Sequence, residues 1–209
     1  VNADESMAWL RANFAVSRET IEKLERMANL TIESNSSQNL ISKTTEVDIW
    51  NRHIIDSAQL LALVPRAGHW VDLGSGAGFP GIVIAALTDM PVTLIEMRRK
   101  RVDHLVAVTA ALGLSKQITI LPQSVEKVRS FPFSVISARA FAPLERLFST
   151  AHHLSDKNTH WVLPKGRSAA SELEAATITW QGQFRMEPSI TDPESAIIVA
   201  RDVQPRRKP

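Results

Sequence analysis

Three glycines alternate in the run Val71-Asp72-Leu73-Gly74-Ser75-Gly76-Ala77-Gly78-Phe79-Pro80-Gly81. The run leaves an apolar stretch and ends at a proline suited to a first helical turn. Glycine lets a backbone pass close to a ligand and take positive φ. An acid, Glu96, stands at the end of the next apolar run, 92–97, roughly 20 residues on, where a carboxylate can hydrogen-bond ribose hydroxyls. This pattern predicts a site for a nucleoside-bearing cofactor, and two ligands compete for it. Gly76-Ala77-Gly78-Phe79-Pro80-Gly81 reads literally as G-x-G-x-x-G, the dinucleotide pattern. Asp72-Leu73-Gly74-Ser75-Gly76-Ala77-Gly78 reads as an acid followed by G-x-G-x-G, the S-adenosylmethionine pattern. Three observations favour the second. Gly74 follows the strand directly, Asp72 is placed to hold the loop or reach a methionine end, and the chain closes on a hairpin. The bland alternative is a tight strand-to-helix turn, which leaves the acid on the next strand unexplained.

The elements that position this loop come from periodicity. Ser17 is the expected N-cap of a helix carrying Ile21, Leu24, Met27 and Ala28 on one face. Residues 31–45, rich in Ser and Asn, read as a connecting loop. A second helix is expected over residues 47–63, ended by Pro65 and Gly68. From Trp70 onward, apolar runs at 70–73, 92–97, 118–121, 133–137 and 160–163 alternate with helical patterns at 82–87, 102–112, 144–153 and 169–177. Such alternation predicts an α/β fold with a parallel sheet covered on both faces. Residues 184–189 and 196–200 are too close for a crossover and read as a terminal antiparallel hairpin. The expected organisation is a helical extension over residues 1–65, a core over 66–204 and a basic tail over 205–209, read as a solvated end.

Composition narrows the partners. The 24 Lys and Arg against 22 Asp and Glu give a formal net charge of +2, so any nucleic-acid case rests on local clusters. With no cysteine, disulfides, cysteine-ligated zinc, iron–sulfur clusters and cysteine nucleophiles are removed together. That fits a reducing compartment, and a cytoplasmic protein is expected. The longest apolar stretch falls well short of the roughly 18 residues of a membrane span. Asp4, Glu5 and Arg11, with no apolar block, predict no signal peptide. The histidines are scattered, so no metal site is expected. Repeats of 20–50 residues are absent, which sets solenoids and propellers aside.

Several further motifs occur together and in order: Asn39-Leu40-Ile41-Ser42, Arg52-His53-Ile54-Ile55-Asp56-Ser57, the glycine loop with its Phe-Pro-Gly extension, Lys100-Arg101-Val102, Ser137-Ala138-Arg139-Ala140-Phe141-Ala142 and Pro164-Lys165-Gly166. From about Asn39 to its end the sequence resembles the bacterial 16S ribosomal RNA guanine-N7 methyltransferases, the glucose-inhibited division protein B family. Residues 33–38 depart from the Trp-Asn common in that family shortly before Asn-Leu-Ile. The resemblance implies a class I S-adenosylmethionine-dependent methyltransferase, Rossmann-like, with an N-terminal helical extension. It implies S-adenosylmethionine as donor, and 16S rRNA or the small ribosomal subunit as partner. It also implies that Gly74, Phe79, Val125, Glu126 and Arg139 contact the cofactor. A monomer acting without metal or membrane is expected. A nicotinamide-dependent oxidoreductase and a non-catalytic RNA-binding protein are the alternatives.

Guanine N7 has a lone pair and no proton, so its methylation needs positioning and no general base. The sequence lacks a cysteine nucleophile, and an Asn/Asp-Pro-Pro-aromatic motif is missing after the fourth strand, where Ser137-Ala138-Arg139 stands. A ring nitrogen or a ribose oxygen is left as acceptor, and the resemblance implies N7. That atom lies in the deep groove of A-form RNA, so the target guanine sits in a loop or is extruded. Ligands bind beyond the carboxyl ends of strands in such sheets. Asp72, Gly74, Ser75, Gly76, Gly78, Phe79, Glu96, Ser124, Val125, Glu126 and Arg139 are therefore the candidate cofactor residues. Arg139 is also the candidate catalytic residue, its fork holding the donor carboxylate or the acceptor edge of guanine. Arg98, Arg99, Lys100 and Arg101 crowd a helix start, where the dipole disfavours cations, and are candidate phosphate contacts together with Lys165. His53 and Asp56, three apart on one helix, are expected to pair and dock that helix on the sheet.

Overall fold

The computed structural model describes residues 3–206. Helices α1 (Ala3–Asn13), α2 (Arg18–Gln38) and α3 (Lys43–Glu46) come first. A π-helical stretch, Trp50–Ile55, then runs without a break into α4 (Asp56–Ala58) and a 3-10 turn, Gln59–Ala62. The alternating part follows as β1 (Trp70–Leu73), α5 (Gly81–Leu87), β2 (Val92–Ile95), α6 (Arg99–Ala111) and β3 (Ile118–Leu121). It continues as β4 (Val135–Ala138), α7 (Leu144–Ala151), β5 (His160–Lys165) and α8 (Ala169–Thr179), and closes on β6 (Trp180–Pro188) and β7 (Ala196–Pro205). The seven strands form one sheet in the order β3-β2-β1-β4-β5-β7-β6. The first five run parallel, while β7 lies antiparallel to both β5 and β6. Strand order reverses between β1 and β4, and the crevice there is where such sheets bind ligands.

Ser17 caps α2 as expected, accepting from the Thr20 amide at 3.1 Å. The connection expected over residues 31–45 is shorter: α2 continues to Gln38 and α3 starts at Lys43, which leaves residues 39–42 as the link. Two polar side chains of α2, Thr31 and Asn35, turn inward, and Thr31 donates to the Met27 carbonyl at 2.9 Å. Asn35 accepts from the Ile41 amide at 2.9 Å and donates to Glu46. The helix stops where Asn39 takes a left-handed φ of 50°. Strand β7 also runs longer than the hairpin read from sequence. It takes in Pro205, and the Arg206 amide donates to the Thr179 carbonyl at 2.8 Å. Of the basic tail, Arg207, Lys208 and Pro209 lie outside the described residues.

One apolar cluster packs the N-terminal helices against α5 and α6, through Leu10, Leu24, Met27, Ile82, Ile84 and Leu105. This cluster crosses the division drawn at residue 65. Leu24 is fully buried in it, and truncating such a side chain to Ala costs about 2–5 kcal/mol. A second cluster on the other sheet face centres on Phe148, Trp161, Trp180 and Ile198. The sheet is thereby fixed from both sides, and the loops at its carboxyl edge are held on a rigid base.

Candidate functional site

The glycine loop is tied back to the sheet by its own backbone. Gly74 and Ser75 donate to the Ile95 carbonyl at 2.8 and 3.1 Å, and Gly78 donates to the Ser75 carbonyl at 2.7 Å. Gly76 has φ +57°, and a Cβ there would meet nothing nearer than 3.7 Å. The space beside that backbone is open, as close approach of a ligand requires. Gly74, at φ +66°, is crowded instead: a Cβ would lie 2.7 Å from the Phe141 ring.

Asp72 holds this loop from beneath. Its carboxylate accepts from Ser137 Oγ at 2.8 Å and from the Gly81 amide at 3.4 Å. Ser137 in turn accepts from Trp70 Nε1 at 2.8 Å. Ser75 donates its hydroxyl to the Asp72 carbonyl at 2.9 Å. Burial pushes the Asp72 carboxyl up to about 6, against the hydrogen bonds that lower it. Of its two expected uses, Asp72 takes the first, since it is 1% exposed and spent on the loop. Glu96 lies one residue past the end of β2. It accepts from the Gly76 amide at 3.1 Å and from the Arg98 amide at 2.8 Å, and each oxygen keeps a lone pair for a further donor.

Two cavities open at the sheet's carboxyl edge. The smaller, about 390 Å³, is lined by Gly74, Glu96, Ser124, Val125 and Glu126, so the structure brings these predicted residues together. It also has walls that the sequence reading passed over: Met97, 68% exposed, and Phe141. Met97 was counted into a strand that in fact ends at Ile95, and its apolar side chain beyond the strand end was the available signal. Arg98 and Arg101 border the same cavity. Arg99 is paired with Asp103 at 2.9 Å and Arg101 stands 3.8 Å from Glu96. Among the described residues, Arg98 and Lys100 have no acidic partner.

The larger cavity, about 670 Å³, is lined by Arg52, His53, Asp56, Arg139, Lys165 and Asp192 among others, and shares Ala140, Phe141 and Ala142 with the smaller one. Arg139 therefore stands on the wall of the larger cavity, apart from Gly74, Glu96 and Ser124. Its guanidinium faces His53 Nδ1 at 2.7 Å, Asp56 at 3.4 Å and the Arg52 carbonyl at 3.2 Å. The guanidinium has only protons to give, so His53 Nδ1 accepts and Nε2 carries the ring proton toward Thr45 Oγ1, 2.9 Å away. Burial and the neighbouring Arg139 lower the His53 pKa to about 3, which keeps the ring neutral. Phe79 completes the cluster, its ring 5.0 Å from that of His53 and 5.4 Å from the Arg139 guanidinium carbon.

His53 and Asp56 do not pair with each other as expected. They flank Arg139 because the π-helical turn, in which the Asp56 amide bonds to Asn51, offsets residues that an α-helix would stack. Asp56 is the acid that sequence neighbourhood could not supply to Arg139. Lys165 is engaged too: its ammonium donates to the Ala142 carbonyl and to Glu172, both at 2.8 Å, and its side chain is 10% exposed.

The family model and the sequence relatives agree on one family. Residues 20–194 match the family model of GidB, described as rRNA small subunit methyltransferase G. The chain belongs to this family. It is 52% identical over 207 residues to the ribosomal RNA small subunit methyltransferase G of Rhizorhabdus wittichii, covering 98% of this chain and 94% of that protein. Against the protein of the same name from Zymomonas mobilis it is 46% identical over 214 residues, covering 98% and 96%. In structure it resembles a mutant of MtNAS in complex with S-adenosylmethionine, with a TM-score of 0.62, 18% identity, and coverage of 86% and 71%. The fold is that of the class I S-adenosylmethionine-dependent methyltransferases. Neither the oxidoreductase nor the non-catalytic RNA binder finds support in these likenesses. No helix among the described residues is long and apolar enough to cross a membrane.

Proposed function

We propose that this protein transfers the methyl group of S-adenosylmethionine to N7 of a guanine in 16S rRNA of the small subunit, acting in the cytoplasm as a monomer without metal. One observation carries the reading. Gly74, Glu96, Ser124, Val125 and Glu126, from three separate sequence segments, line one cavity at the switch point, beside a second cavity that shares its wall. The residues fit the donor, since the open side of Gly76 admits a close ligand and Glu96 retains lone pairs for ribose hydroxyls. Ser124–Glu126 border the adenine. S-adenosylmethionine supplies an electrophilic methyl on a sulfonium.

The chain's own task is alignment. Gly76, Glu96 and Ser124–Glu126 would hold the donor, whose sulfonium would offer its methyl to the guanine N7 lone pair and keep the bonding electrons as S-adenosylhomocysteine. No proton moves, in keeping with a site in which the buried His53 is held neutral. In-line placement of two reactants is worth up to about 7–11 kcal/mol. Arg139, anchored by His53 and Asp56, fixes the partition between the cavities. Arg98 and Arg101 at the mouth of the donor cavity, with Arg99 and Lys100 beside them in sequence, meet RNA phosphates. Lys165 serves the same rim by holding the Ala142 carbonyl. The test is incubation of the full chain with labelled donor and undermethylated small subunits, followed by nucleoside mapping. The expected product is 7-methylguanosine in 16S rRNA; no transfer, or label at another atom, overturns the reading.

A further inference from the structure

The reading above assigns the smaller cavity and leaves the larger one open. Each of three cations on the larger wall is already matched to a carboxylate: Arg52 to Asp192 at 2.9 Å, Arg139 to Asp56 at 3.4 Å and Lys165 to Glu172 at 2.8 Å. A phosphate draws its affinity from charge-assisted bonds to cations, and these cations are spent. The wall offers paired donors and acceptors beside apolar Leu40, Ile41 and Ile197. A neutral, flat, polar heterocycle matches such a lining. The volume falls within the roughly 300–1,000 Å³ of small-molecule pockets. Ala140, Phe141 and Ala142 are common to both cavities, so an occupant here borders the donor site directly.

On the proposed reaction, N7 must face the partition and is unavailable for recognition. Guanine is then identified through its N1–H and its N2 amino group, which are both donors and require acceptors. Adenine offers no such pair. Three carboxylates line the cavity, and Glu172 is taken up by Lys165, the Ser168 hydroxyl and the Leu144 amide. Asp56 is crowded, with Oδ1 accepting from Gln59 at 2.9 Å and Thr191 at 2.8 Å, and Oδ2 facing Arg139. Asp192 accepts from Arg52 at 2.9 Å on one oxygen and from the Glu194 amide at 3.0 Å on the other, has the Ser195 hydroxyl as a further donor, and its side chain is 25% exposed. A carboxylate has about four acceptor sites, so Asp192 has capacity left. We propose that the larger cavity takes the extruded guanine and that Asp192 accepts from its N1–H and N2 amino edge. This rests on the guanine-N7 reading above.

Inosine, which lacks the N2 amino group, separates recognition from stability. Small subunits reconstituted with guanine or inosine at the acceptor position are methylated by the full chain, and S-adenosylhomocysteine binding is measured by calorimetry. The wild-type protein is expected to favour guanine ten-fold or more, and Asp192→Asn to reduce this to three-fold or less with unchanged S-adenosylhomocysteine affinity. Gly166→Phe provides an independent arm. Gly166 lines only the larger of the two cavities, and a Cβ there would meet nothing within 4 Å. The variant is expected to lose methyl transfer a hundred-fold or more and to keep donor affinity. Wild-type guanine preference in Asp192→Asn, near-normal turnover by Gly166→Phe, or equal loss of S-adenosylhomocysteine affinity in both removes guanine from this cavity. A wild-type protein that places no methyl on guanine N7 overturns the underlying reaction instead.

Discussion

The two cavities are built by different means. The smaller is made by backbone: a glycine loop, the ends of parallel strands and a 3-10 turn, Val125–Lys127, each following its own strand. The larger is made by side chains from segments far apart in sequence, with Arg139 bonded to residues 83 and 86 positions away. A cavity defined by backbone places few demands on residue pairs, so its binding should fail at single glycines. A cavity defined by a polar network should fail through charge, pH and partner loss.

The largest effect expected is at the backbone site. Gly76→Val puts a branched side chain into the open space at φ +57°, a conformation such residues rarely take. S-adenosylhomocysteine binding should fall by a hundred-fold or more in calorimetry. Ordinary affinity would show that the loop is not the donor cradle.

Next come the two buried acids and bases, which sharpen the contrast because they respond to pH with opposite signs. His53 has its folded pKa lowered to about 3, so it contributes stability that is present above about 6.5 and lost as pH falls through that window. Two pH units of that window correspond to about 2–3 kcal/mol. Urea unfolding at pH 7 and 4.5 should show a smaller acid loss in His53→Gln than in the wild type. Asp72 has its folded pKa raised to about 6, so its contribution is present below about 3.8 and lost as pH rises through 6. The same titration of Asp72→Asn should lack that loss; equal pH slopes in wild type and both variants would erase the contrast.

Arg139 tests where the boundary lies. Lysine keeps the charge but cannot reach His53, Asp56 and the Arg52 carbonyl together. Arg139→Lys and Arg139→Ala should both cut methyl transfer ten-fold or more, about 1.4 kcal/mol, with donor affinity nearly unchanged. A parallel loss of S-adenosylhomocysteine binding would move Arg139 to the donor side, as the family resemblance implies.

The smallest effect concerns phosphate contact. Replacing Arg98 and Lys100 with Ala should lower the salt slope of RNA binding by about one to two contacts' worth and leave donor affinity alone. An unchanged slope would return both cations to the solvent.

The same contrast explains what the sequence made legible. The order of strands and helices from Trp70 onward, the Ser17 cap and the gathering of Gly74, Glu96 and Ser124–Glu126 follow from periodicity and from where strands end. The extension of α2 did not, because Asn35 is satisfied by Ile41 and Glu46 beyond the end of the helix, while Thr31 bonds back to the Met27 carbonyl one turn earlier, so residue types that read as a loop are satisfied within a helix. The partners of Arg139 and Lys165 were hidden too. Asp56 and Glu172 reach them only through tertiary packing, and no local charge pattern announces either pair.

The π-helical turn at Trp50–Ile55 has a consequence for chain length. The wide turn holds one residue more than an α-helix of the same span, so a substitution that let all of these residues close as an α-helix would turn the elements on its two sides by about 100° and slide them by ~1.5 Å relative to one another. His53 and Asp56 could no longer both meet Arg139, while α1 and α2 would be pulled off a core they share with α5 and α6. Loops on this surface can absorb insertions and deletions; this turn counts its residues, and its length is as much a specification of the site as any side chain in it.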